Sequence, residues 1–200
     1  THRPHRRPFR SGRPSVPAAT VRIHVDKLAS VGRGRPFSPP FLLIPRDKQF
    51  IDPAFPFYPM SPDVAQAKSI MEAAGWKLGS DGIYAKNGQR ASMNVVVTAG
   101  YTDYIAALDI MKPQMAAAGI EIIPQQQANA EIISARGLGK FQLAMDANFQ
   151  GPVADPYYIY NTIFSSTGVL PAGQSQNPYG NVSKFADPAV DAEIKDAGAT

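Results

Sequence analysis

Cysteine is absent from the 200 residues, which excludes a disulfide framework, a thiolate nucleophile and a cysteine metal site, and is compatible with any compartment. Histidine is almost as scarce. His2, His5 and His24 all stand near the amino terminus, so the remainder of the chain has no histidine base. His2 and His5 have metal-like spacing, but no carboxylate or thiolate nearby completes a ligand set. No run of about 18 apolar residues suggests a membrane-spanning helix, and the start lacks the charged-then-apolar pattern of a signal segment. Gly32-Arg33-Gly34 is too short for a phosphate loop. No nucleophile with a neighbouring base and no paired-carboxylate site is evident, because Asp187 and Asp191, on neighbouring helix turns, read as a cap and a solvated side chain. The expectation is therefore a protein that is not an enzyme, with no catalytic residues, no metal site and no cofactor.

What is present divides in two. Residues 1–48 hold 11 Lys/Arg and 2 Asp/Glu, whereas residues 49–200 hold 9 and 14, so the overall charge of +4 conceals a basic arm on an acidic body. The arm is rich in Arg and Pro, with short apolar stretches only at 21–25 (VRIHV) and 41–44 (FLLI), and it is expected to be irregular. The body, 49–200, is the folded unit, and 44% hydrophobic residues suffice for a core. A nucleic-acid role for the arm is the alternative function, weakened because Phe9, Phe37 and Phe41 are its few aromatics. No nucleic-acid partner is expected. The chain begins at Thr1, which suggests a fragment or a processed product, and it stops just after a predicted helix without a closing strand.

From about Phe50 the pattern becomes regular. Phe55, Phe57 and Tyr58 among prolines predict an extended lead-in over an apolar surface. Ser61 as N-cap, Pro62 at the first helical position and Asp63 near the positive dipole end predict a helix start. Val64, Ala67, Ile70, Met71 and Ala74 form one apolar stripe, Gly75 stops the helix, and Trp76 is predicted to pack back onto Met71. A strand at 83–85, Asn87-Gly88 as a hairpin turn, and a returning strand at 91–98 follow. The Val95-Val96-Val97 run predicts burial on both faces and a central place in a sheet. A helix is predicted from about Thr102 to Ala118, with Pro113 kinking it or dividing it in two. Gly119 ends it and residues 120–124 form the next strand, which makes a βαβ unit with parallel pairing. A short helix at 128–136 broken by Gly137 and Gly139, a strand at 141–147, an aromatic helix at 155–164 and a helix at 188–197 capped by Asp187 complete the reading.

Six pieces in this order, YPMSPDVAQAKSIMEAAGW, GIYAKNGQR, VVVTAG, IMKPQMAAAGIEI, GKFQLAM and FADPAVDAEI, carry a resemblance. Residues 50–200 resemble the carboxy-terminal lobe of the extracellular solute-binding proteins of ABC importers, peptide/nickel class. The resemblance implies an α/β fold, here part of one lobe of a two-lobed periplasmic-binding-protein-like architecture that closes on its ligand. It implies capture of a small peptide or oligosaccharide, ABC permease subunits as partners, contact with the membrane only through the transporter, and a periplasmic or extracytoplasmic location. Members are usually more than twice this length, and with only one wall of the cleft an isolated chain is expected to bind poorly. In peptide-binding members the strand matching FQLAM leads to a tryptophan and then an aspartate that receives the peptide amino terminus. Here Asn148 or Phe149 stands at the tryptophan and Gly151 near the aspartate, with Asp155 four residues later. Asn148, Phe149 and Gln150, with Asp146 and Asp155, are the candidate ligand-binding residues. Two amides and a ring suit a neutral hydroxylated ligand, and the PAGQ (171–174) and YGN (179–181) segments fit the saccharide-binding branch. Asp146 and Asp155 have turn or cap roles as the competing reading.

Overall fold

The computed structural model describes residues 49–50, 63–146 and 151–199. The basic arm, the 55–58 lead-in and Ser61-Pro62 lie outside these residues. Helix α1 spans Val64–Ala73, and its N-cap is Asp63, whose carboxylate accepts the Gln66 N–H at 2.8 Å. The start is thus two residues later than a Ser61 cap would give, because Asp63 supplies both the acceptor and the negative charge. The stop matches the expected chemistry. Gly75 takes φ +82°, its N–H donates to the Glu72 carbonyl, and the Trp76 N–H donates to the Met71 carbonyl at 3.0 Å. That double bond pattern is a Schellman motif, and Trp76 and Met71 share one core cluster with Ile83, Tyr84, Ala91 and Ile120.

A small antiparallel sheet follows, of order β1 (Lys77–Leu78), β2 (Tyr84–Lys86), β3 (Gln89–Arg90). Asn87 and Gly88 have φ of 51° and 76°, the two positive values that a tight primed turn requires. The strand returning from this turn is β3, not the expected 91–98 strand. Ala91, fully buried, accepts from Glu121 N–H through its carbonyl and donates to the Tyr84 carbonyl, so the chain changes sheets at this residue.

Strand β4 (Ser92–Thr98) is the centre of the second sheet, order β5-β4-β6, parallel to β5 (Glu121–Gln127) and β6 (Leu143–Met145). Val95, Val96, Val97 and Thr98 are all buried, as the central position demands. Helix α2 (Thr102–Ala117) joins β4 to β5 and packs on β5, setting Leu108 with Val95, Val97 and Ile122. Pro113 neither divides α2 nor ends it. The carbonyl it leaves without a helical donor is that of Asp109, and both residues are exposed, so water can supply the missing partner. Gly119, at φ +80°, ends α2 with the same Schellman bonds as α1: Gly119 N–H to Ala116 and Ile120 N–H to Met115. Strand β5 runs three residues beyond the expected end, through Pro124, which the ladder tolerates because β5 is an edge.

Helix α3 (Asn129–Leu138) packs on β4. The step from β4 to β5 and the step back from β5 to β6 run in opposite directions, so a common right-handed crossover sets α2 and α3 on opposite faces. Gly137 lies inside α3 rather than breaking it. A Cβ there would stand 3.0 Å from the Gln176 carbonyl oxygen, and the Gly137 carbonyl accepts the Gln176 N–H, so the glycine lets the 171–176 loop dock on the helix end. The break comes at Gly139, φ +66°. Strand β6 is shorter than the predicted 141–147. Helices α4 (Pro156–Phe164) and α5 (Pro188–Ala197) pack together, each with proline in its first turn and an aspartate cap, Asp155 and Asp187.

Candidate functional site

In an open parallel sheet the chain leaves each strand at its carboxyl end, and a crevice opens where neighbouring connections depart to opposite faces. Here that point lies between β4 and β5. The chain leaves β4 through Ala99, Gly100 and Tyr101 into α2, and leaves β5 through Ala128 into α3, while the Ala99 N–H donates to the Gln127 carbonyl at 2.8 Å. Gly100 takes φ +86°, which turns the backbone sharply away from the sheet. Tyr101 is 45% exposed and meets Tyr104 edge to face at 5.7 Å, which steadies the ring just past the end of β4. Thr98 is buried at the strand end beneath it.

On the other side of β4, the register Val97↔Met145 brings the end of β6 level with Thr98. Asp146 therefore stands at the carboxyl edge of the sheet. Its carboxylate is paired with the Arg136 guanidinium, which reaches across from the last turns of α3 and is buried. Tyr179 covers this guanidinium, with its ring centroid 5.7 Å from the guanidinium carbon. Asp155 caps α4 through the Tyr157 N–H at 2.8 Å. Gly151 lies against the first turn of the same helix, where a Cβ would come within 2.7 Å of Tyr158 Cγ. Asn148, Phe149 and Gln150 lie outside the described residues. The two described members of the expected set thus have tasks within the fold, Asp146 as an ion-pair partner and Asp155 as a cap.

The saccharide-branch segments are also structural where they are described. Asn181 is 5% exposed, its amide donates to the Ser165 and Phe185 carbonyls, and its side-chain oxygen accepts from Ser183 and from the Phe185 N–H. Gly173 N–H donates to the Leu138 carbonyl, which anchors the PAGQ turn to α3. Asp191 is more than a solvated helix residue. It accepts both the Ser166 N–H (2.8 Å) and the Ser166 hydroxyl (2.6 Å), and these bonds hold its carboxyl below the usual carboxylate range. It borders a cleft of about 420 Å³ between α4 and α5, lined also by Tyr157, Asn161 and Lys195. The strand-end residues Thr98, Tyr101 and Gln127 were not singled out by sequence. The signal available for them was the glycine directly after the valine strand, which marks a chain turning at a sheet edge.

The fold is shared with solved solute-binding proteins. The periplasmic oligopeptide-binding protein of a Thermotoga maritima oligopeptide ABC transporter, solved with mannohexaose, aligns at a TM-score of 0.72 and 20% identity over 88% of this chain and 33% of its own. The oligopeptide-binding protein AppA of Bacillus subtilis, solved with a nonapeptide, aligns at 0.63 and 17% identity over 91% of this chain and 34% of its own. Among curated proteins, Protein XP55 of Streptomyces lividans is 37% identical over 143 residues, 68% of this chain and 23% of that protein. The chain thus spans about a quarter to a third of the length of these relatives. Residues 38–170 match the middle region of the bacterial extracellular solute-binding proteins, family 5, and the chain belongs to that family.

Proposed function

We propose that this chain forms part of the ligand-binding lobe of the solute-binding component of an ABC importer, and that the carboxyl edge of its parallel sheet is one wall of the ligand cleft. The observation that carries this reading is the topological switch point between β4 and β5 in a chain of this family. The ligand is an oligosaccharide or an oligopeptide, the two classes seen on this fold in the Thermotoga maritima and Bacillus subtilis relatives. Tyr101 offers a ring face and a hydroxyl, Gln127 an amide, and Asn148, Phe149 and Gln150 extend the same neutral chemistry, which favours the saccharide. Delivery to permease subunits outside the cytoplasm follows from the same reading.

Calorimetric titration tests it, with the 200-residue chain alone and joined to the complementary lobe of the Thermotoga maritima relative. The joined protein is expected to bind one class from a panel of oligosaccharides and oligopeptides and to gain about 2.7 kcal/mol of stability at a hundredfold excess over Kd. The chain alone, with one wall, is expected to bind far more weakly. Absence of binding across the panel in the joined protein contradicts the proposal.

A further inference from the structure

Three carboxylates lie close to the ends of the parallel strands, and each has a partner. Asp103 accepts the Tyr104 N–H at 2.9 Å and Glu131 accepts the Ala128 N–H at 3.2 Å. Asp146 is matched to a cation, Arg136. A ligand ammonium approaching Asp146 would meet a carboxylate already neutralised by a guanidinium that is 9% exposed and backed by the Tyr179 ring. Pulling the carboxylate away from Arg136 would leave that guanidinium buried without a counter-charge, which is unfavourable. The other groups at the strand ends, Thr98, Tyr101 and Gln127, are uncharged.

We infer that Arg136 is a specificity-determining residue: by holding Asp146 it leaves the end of β6 without a free anion, so the site accepts an uncharged ligand group there and not an ammonium. This rests on the reading that the carboxyl edge of the sheet receives the ligand. Tyr179 is the positioning residue, since its ring lies over the guanidinium.

The test is NMR titration of the chain joined to the complementary lobe of the Thermotoga maritima relative, with three probes: trialanine amide, its N-acetylated form and mannohexaose. In the unaltered chain the free and acetylated peptides are expected to bind alike. Arg136→Met is expected to tighten the free-amine peptide about tenfold relative to the acetylated one, the scale of a single close charge pair. Adding Asp146→Asn is expected to abolish that preference. Tyr179→Ala changes a residue 59% exposed and leaves the core intact, and it is expected to shift the same ratio in the same direction by less. Should Arg136→Met not fold, the Tyr179→Ala ratio decides. An unchanged ratio, with probes still perturbing the strand ends, overturns the inference and leaves the proposed function standing. No perturbation of the strand ends by any probe overturns both.

Discussion

A Cβ on Gly119 would stand 2.6 Å from Tyr84 Cε2 at a φ of +80°, whereas one on Gly75, at φ +82°, would meet only the end of the Lys86 side chain at 3.5 Å. The two glycines end similar helices with the same hydrogen bonds, yet their substitutions differ in cost. Gly75→Ala is expected to cost about 1 kcal/mol from backbone strain alone. Gly119→Ala adds overlap with a fully buried ring and is expected to cost about 2–4 kcal/mol, read from urea unfolding of the two variants side by side. Tyr84 itself is legible as a hairpin residue but not as a core residue. Its burial arises because the hairpin folds back over Gly119, 35 positions along the chain, and no local pattern encodes that contact. Desolvation, and then the hydrogen bond that its hydroxyl donates to Glu72 at 2.8 Å, push its pKa up to about 12. In the unfolded chain a tyrosine loses its proton near 10, so between pH 10 and about 12 the unfolded state binds fewer protons and stability falls as pH rises. Tyr84→Phe is expected to remove that alkaline loss while lowering stability at neutral pH by about 1 kcal/mol, measured as denaturation midpoints at pH 8 and 11.

The elements themselves were mostly readable. Asp187 and Pro188 placed the start of α5, Gly75 and Gly119 placed the ends of α1 and α2, and the valine run identified the central strand. The hairpin return was misread because residues 89–98 form one uninterrupted strand-like run, and only the pairing of Ala91 with both Tyr84 and Glu121 divides it between two sheets. Pro113 does not divide α2 because proline breaks a helix only where its lost bond cannot be replaced, and exposure decides that. Pro113→Ala is therefore expected to stabilise α2, by about 1–2 kcal/mol once the greater freedom of the unfolded chain is set against the restored bond, as seen in the urea midpoint. Asp191 joins α5 to the end of α4 through Ser166. Its lowered pKa means that the contribution is present above the ordinary aspartate value and is lost as pH falls through the folded one. Ser166→Ala is expected to lower stability at pH 7 and to flatten that acid loss, followed by denaturation at pH 7 and pH 3.

At the scale of the molecule, the family and the parallel α/β core were legible because six short pieces keep their order, a signal that survives although each is weak alone. The sheet edge proposed as the ligand wall was not. Asp146 and Asp155 drew notice as charged residues near a departure from the peptide-binding pattern, but their partners, Arg136 and the Tyr157 N–H, are supplied by folding. Conversely Thr98, Tyr101 and Gln127 carry no distinctive chemistry in sequence and become notable only when three strands end together. The central claim is that these strand ends form a ligand wall. Two-dimensional amide NMR of the chain joined to the complementary lobe of the Thermotoga maritima relative, titrated with mannohexaose and with trialanine amide, tests it most directly. Shift changes are expected at Thr98–Thr102, Gln127–Asn129, Asp146 and Gly151–Asp155, with the antiparallel hairpin unmoved. Changes confined to the hairpin or to the cleft between α4 and α5, or none with either ligand, would contradict it.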